Sequence, residues 1–259
     1  MANRFKQPFL SLYKRKKEAG YIFFNEVVEE IAYKPFKYLV CNIDLDILKC
    51  AVELAKEKSQ FTMNQNQANI PRSETVKLKK CAQGILAEMF VHFLLMERYN
   101  LNVLRFDLER DSFEYSTDEY DLKIITSSKE YEVESRSSNI HHYSIWKFVK
   151  SDVMIGPYGN ASKIMDEYAD LHFRPIYLPE FFPFAFEGEK VVYNKKMVDG
   201  TIKLVITGVA TKKDFAEHGY DSSLGQRGTT YHVVDISKIG DVDEMDKKIK
   251  NLIKWIKEK

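Results

Sequence analysis

Cysteine is scarce. The 259 residues hold three, Cys41, Cys50 and Cys81. Their spacing fits no metal-ligand pattern, which argues against a disulfide framework or a zinc ribbon and leaves reduced structural thiols in a cytoplasmic protein as the expectation. A surplus of either charge is also missing, with 39 basic residues against 38 acidic ones and a formal charge of +1. Global charge therefore does not announce a nucleic-acid binder, although an acidic site can offset a basic binding surface within the same total. No apolar run approaches the ~20 residues that cross a bilayer. The greasiest stretch, Phe90 to Met96, is short and interrupted by His92, so no membrane partner is expected. The chain shows neither a secretory-signal layout near its start nor a GxxxxGK[ST] phosphate loop. Internal repeats and long low-complexity tracts are lacking as well.

What is present is an ordinary globular composition, 44% hydrophobic and 30% charged, with enough chain to bury a substantial core. Residues 1–72 read as an N-terminal helical region packed on the rest, with apolar residues at helical spacing over Asn25–Ala32 and Asp44–Lys58. Gln60 to Arg72 is polar and contains Pro71, a boundary signal. Residues 73–259 then form the main domain. A long helix runs from Ser73, a good N-cap, to Tyr99 and stops at Asn100. Strands are expected over Asn102–Phe106, Tyr120–Thr126 and Glu130–Arg136, a helix over Ser144–Val149 and a strand over Asp152–Ile155. Further strand signals follow at Pro175–Leu178, Lys190–Tyr193, Ile202–Val209 and Thr230–Ile236, and an amphipathic helix closes the chain over Asp243–Lys257. This order predicts an α/β fold: a central mixed β-sheet flanked by helices, with extra C-terminal strands.

The most informative stretch is Glu119-Tyr120-Asp121-Leu122-Lys123 followed, across a short turn, by Glu132-Val133-Glu134-Ser135-Arg136. Residues two apart on a strand point the same way, so Glu132 and Glu134 share a face, and Asp121 on the neighbouring strand can join them. Packed carboxylates repel unless a cation neutralises them, and oxygen-rich clusters suit Mg, Mn or Ca. Glu88 lies at the edge of the long helix's apolar arc, one turn after Gly84, where a second backbone has room to approach. Pairing of Glu88 with Lys80 or Arg98, or an outward turn of its side chain, is the plainer alternative.

Gly84-Ile85-Leu86-Ala87-Glu88 on a helix, Tyr120-Asp121-Leu122, and Glu132-Val133-Glu134-Ser135-Arg136 together resemble the PD-(D/E)xK nuclease superfamily, the fold of restriction endonucleases. The resemblance covers roughly Thr75 to Tyr158. It implies a restriction endonuclease-like core and a magnesium site, for which manganese substitutes, held by Asp121, Glu132 and Glu88. It also implies hydrolysis of phosphodiester bonds in double-stranded DNA by an endonuclease of the type II restriction kind, with dimer contacts as a further expectation. The family usually carries lysine where this chain has Glu134. Glu134 would then orient or deprotonate the attacking water, or Lys123 would supply the missing positive charge; a salt bridge to one of these acids is the plainer role for Lys123.

Candidate DNA contacts leave the second strand directly: Ser135, Arg136, Ser138, Asn139, His141 and His142, with Lys147 on the helix beyond. Lys212, Lys213, Gln226 and Arg227 near a Gly-containing turn are a second group. Two alternatives stand beside the restriction enzyme. One is a structure-specific repair nuclease. The other is a non-catalytic nucleic-acid-binding or assembly module of the same fold, favoured by the missing lysine.

Overall fold

The computed structural model describes residues 6–61, 73–109, 121–127, 129–139, 145, 149, 154–155, 168–179, 184–187, 190–222 and 231–257. The chain opens with α1 (Lys6–Glu18), the hairpin β1 (Phe24–Ile31) and β2 (Lys34–Cys41), α2 (Leu45–Ser59) and α3 (Glu74–Tyr99). Next come β3 (Asn102–Arg105), a single turn α4 (Phe106–Glu109), β4 (Leu122–Ile125), β5 (Glu130–Ser135) and β6 (Ser138–Asn139). After β7 (Met154–Ile155) follow β8 (Leu171–Phe173), β9 (Ile176–Leu178), β10 (Phe184–Glu187), β11 (Lys190–Tyr193) and the turn α5 (Lys195–Val198). The last elements are β12 (Lys203–Ile206), β13 (Val209–Thr211), α6 (Lys212–His218), β14 (Tyr220–Ser222), β15 (Tyr231–Asp235), the turn α7 (Ile236–Ile239) and α8 (Val242–Lys257).

Two five-stranded sheets, β1-β2-β12-β9-β6 and β13-β8-β5-β4-β3, share three bent strands. β5 runs into β6 through Arg136–Ser137, β8 into β9 through Arg174–Pro175, and β12 into β13 through Thr207–Gly208. The central pair β5/β8 is parallel and so is β6/β9, while the outer pairs are antiparallel, which makes the sheet mixed. The ladder continues across the bend, because Arg136 N–H donates to Phe173 O (3.1 Å) and Ser138 N–H to Pro175 O (3.0 Å). Gly208 is required at its bend: a Cβ there would sit 2.6 Å from the carbonyl oxygen of Gly240.

Both faces of the bent sheet are covered. On one face Leu39, Leu122, Ile124, Tyr131, Val133, Leu171, Phe173, Tyr177, Leu204 and Ile206 pack with Ile85, Leu86, Met89, Phe90 and Phe93 of α3 and with Met245 and Ile249 of α8. On the other, Tyr38, Ile176, Leu178, Val205 and Ala210 pack with Ile145, Val149, Tyr168, Phe215, Ile236 and Ile239. The alternation of β9 and β12 residues between these two clusters is what a strand buried on both sides requires. α3 is placed by Ser73, whose Oγ accepts from Val76 N–H (3.3 Å), and ended by Asn100 in the left-handed region at φ 52°.

One expected element is of the other type. Within Asn25–Ala32, the residues up to Ile31 are strand rather than helix, paired along that length with β2 and through β2 with β12, and Ala32 begins the turn. The adjacent β-branched Val27 and Val28 favour the extended chain, and a partner strand follows at once. The N-terminal region is therefore part of the sheet and not a purely helical layer. No helix of the described residues is long and apolar enough to cross a membrane.

Candidate functional site

The register of β4 and β5 decides which acids meet. Leu122 lies opposite Val133 and Lys123 opposite Glu132, so one step further Asp121 lies opposite Glu134. A hydrogen bond fixes that step: Ser135 N–H donates to Asp121 Oδ2 at 2.7 Å. Burial pushes the Asp121 carboxyl well above the usual carboxylate range, and the carboxylates of Glu88 and Glu134 push it further, against the opposing pull of Arg136 and the Ser135 N–H. Asp121 thus lies within electrostatic reach of both Glu88 and Glu134. Glu134 in turn is ion-paired with Arg136, two residues on along the same face.

Glu132 shares the strand face of Glu134 but is exposed, directly across from Lys123. Its backbone is tied to Asp170: Glu132 N–H donates to Asp170 Oδ2 (3.0 Å), and Asp170 N–H to Glu132 O (2.9 Å). Lys123 makes a salt bridge with Glu130 at 3.1 Å, an acid outside the candidate group with which its plainer role had paired it.

Glu88 is buried, and Oε2 accepts both Nε (3.1 Å) and Nη2 (2.8 Å) of the fully buried Arg105. Arg105 continues to Asp107 (3.5 Å), and Asp107 to Lys58 (3.0 Å). This charged chain ties α3, β3, α4 and α2 together. Removing one member would leave a buried charge uncompensated, at a cost of about 3–5 kcal/mol. Burial raises the Glu88 pKa, opposed by Arg105 and Lys58. Gly84 plays a smaller part than its spacing suggested. Among the described residues, a Cβ there would meet only Glu88 Oε1 at 4.0 Å, an ordinary contact, and no backbone approaches it closely.

The residues after β5 divide between the two faces. Ser135 turns into the α3 side and is buried, so its backbone N–H is the group that faces the acids. Asn139 also points to α3, where its Oδ1 accepts from Gln83 Nε2 at 3.0 Å. Arg136 and Ser138 lie on the face of Glu134, and Ser138 Oγ accepts from Arg174 Nε at 2.6 Å. Lys212 begins α6 within 3.8 Å of Asp170, on the Glu132 side, and Lys213 lies 3.6 Å from Glu217. His141, His142, Lys147, Gln226 and Arg227 lie outside the described residues.

The sequence reading missed three residues here: Arg105, Asp170 and Arg174. Two of them carried a signal. Arg105 ends the apolar strand Val103-Leu104, and Arg174 interrupts the run Leu171 to Leu178; a cation in such a place needs a partner.

Among the described residues no group of three or more His, Cys, Asp and Glu side chains is placed to hold a metal ion by itself. Two carboxylates on adjacent strands, one of them held toward its neutral form by burial and like charge, still suit a hard cation. Magnesium is commonly held by one or two protein carboxylates, with water and substrate phosphate completing the shell. The chain matches no family model, no curated protein and no solved structure.

Proposed function

We propose that the protein is a metal-dependent endonuclease of restriction endonuclease-like fold, cleaving double-stranded DNA in the manner of a type II restriction enzyme. The observation that supports this is the pairing of Asp121 with Glu134 across β4 and β5, with Glu88 within electrostatic reach. In this reading the acidic pair of the resembled family is Asp121 and Glu134, not Asp121 and Glu132. The position two residues further on, lysine in that family, is then Arg136.

Asp121 and Glu134 would hold Mg, or Mn in its place, as the two protein carboxylates. The bound ion would polarise the phosphoryl group and lower the pKa of the attacking water. The chain's own residues do the rest. Ser135 N–H fixes the Asp121 carboxylate, Arg105 holds the Glu88 side chain and opposes the effect of its burial, and Arg136 neutralises Glu134 in the absence of the ion.

A second reading keeps the fold and drops the chemistry. Glu134 and Glu88 each already have an arginine partner, and a module that only binds nucleic acid would need no more. Incubating the full chain with plasmid and phage DNA separates the two. Discrete fragments in Mg that vanish in EDTA, with binding but little turnover in Ca, are expected of the restriction enzyme. A smear indicates a nonspecific or structure-specific nuclease, and intact DNA that is nevertheless bound indicates the module.

A further inference from the structure

We propose that the free edge of β1 takes up an extended, basic segment of a partner protein as an added strand of the sheet. β1 ends the strand order β1-β2-β12-β9-β6, in the sheet that lacks β4 and β5. The acid pair is not involved. β1 pairs with β2 along its length in one unbroken register, from Phe24 opposite Cys41 to Ile31 opposite Lys34. Neither a proline nor a bulge interrupts it. Those are usual devices that blunt a strand edge; charge is another, and here it is of one sign. β1 contains three glutamates and no basic residue.

The phase of the hydrogen bonds shows which backbone groups are open. Phe23 O accepts from Asn42 N–H at 2.9 Å, and Ile31 and Lys34 flank the two-residue loop as a pair. Odd-numbered residues therefore bond to β2, and the N–H and C=O groups of Phe24, Glu26, Val28 and Glu30 point to the free edge. The side chains of these four share one face. Phe24 packs on the first apolar cluster, whereas Val28 is 58% exposed. Glu26 meets Arg98 at 2.7 Å and is still 43% exposed, and Glu30 has no ion pair among the described residues. Lys37, across from Val28 on β2, is engaged by Asp243 at 2.7 Å. A second copy of β1 would set three glutamates against three, which cross-strand pairing opposes. The edge suits instead a strand with Lys or Arg opposite Glu26 and Glu30 and an apolar residue opposite Val28. In such strand addition main-chain bonds give affinity and alternate side chains give specificity.

The probe is a fluorescein-labelled peptide, Thr-Lys-Thr-Val-Thr-Lys-Thr, compared with a twin that carries Glu in place of both Lys. Anisotropy at low ionic strength reads binding to the full chain, and circular dichroism reads the folding of each variant. The wild type is expected to bind the basic peptide about 10-fold more tightly than the acidic twin. The double variant Glu26→Lys, Glu30→Lys should reverse that preference. Val28→Pro removes one outward N–H and no bond to β2, so it should keep the fold and weaken binding of the basic peptide about 10-fold. Amide hydrogen exchange on the wild type, followed by NMR, needs no variant. The basic peptide should slow exchange at Glu26, Val28 and Glu30 and change it little at Asn25, Val27 and Glu29, which already bond to β2. Failure of the basic peptide to bind, equal binding of its acidic twin, or binding that leaves the outward amides unprotected would overturn the docking edge.

Discussion

Burial shapes the titration of His92. It sits on α3 one turn after Glu88, buried, with its ring edge-on to Phe9 at 5.0 Å. Burial, and to a lesser degree the Arg105 charge, push its pKa down to about 3. The unfolded chain therefore takes up a proton that the folded one refuses. The contribution of neutral His92 to stability is fully present above the ordinary histidine value of 6.5 and is lost as pH falls toward about 3. One proton corresponds to about 1.4 kcal/mol per pH unit across that window. Urea denaturation of the wild type and His92→Leu at several pH values between 6.5 and 3 should show the difference in their slopes. Parallel pH profiles for the two would mean that His92 is protonated in the fold. Nearby, Glu88 shows how one residue takes a role that its neighbours on the sequence do not reveal. Its partner is Arg105 across the α3–β3 contact, not the Lys80 or Arg98 that helical spacing offers.

Among the elements, the β1–β2 hairpin departs most from local preference. Its two loop residues, Ala32 and Tyr33, both have positive φ, 50° and 63°. A two-residue loop with both residues there is the primed turn that matches strand twist, and Asn-Gly is its usual sequence. Alanine and tyrosine lack what makes that region cheap, and each costs roughly 1–2 kcal/mol. Tyr33 is 95% exposed, so its ring gains no burial in return. The double substitution Ala32→Asn, Tyr33→Gly should stabilise the fold by about 1–3 kcal/mol, with unchanged secondary structure by circular dichroism. An unchanged or lower melting temperature would show that the loop is relaxed as it stands. The same hairpin explains what the sequence concealed. Over Asn25–Ala32 the apolar residues satisfy helical spacing, and the strand is selected by the β2 partner and the turn, which periodicity does not report. α3 was legible because cap, long apolar arc and stop all agree, and α8 because its apolar residues keep helical spacing. At the site, the alternation of Glu132 and Glu134 was legible, and so was their proximity to Asp121. The register that sets Glu134 rather than Glu132 opposite Asp121 was not, since a two-residue shift between short strands keeps every side chain on its face and leaves the sequence pattern intact.

At the scale of the molecule, one mixed sheet with helices on both faces bends where three of its strands carry Arg136, Arg174 and Gly208. The acid pair lies beside that bend, where β4 and β5 present Lys123, Glu130 and Glu132 outside either apolar cluster. Sheet register, and not the spacing of acids along one strand, assigns the pair. The most direct test is single-turnover cleavage of one plasmid substrate in Mg by the wild type, Glu134→Ala and Glu132→Ala, with DNA binding in Ca as the control for folding. Glu134→Ala is expected to lose about 10²–10⁴-fold in rate, and Glu132→Ala to stay within a few-fold of wild type. Near-normal cleavage by Glu134→Ala beside a severe loss in Glu132→Ala would contradict the pairing of Asp121 with Glu134 as the reactive site.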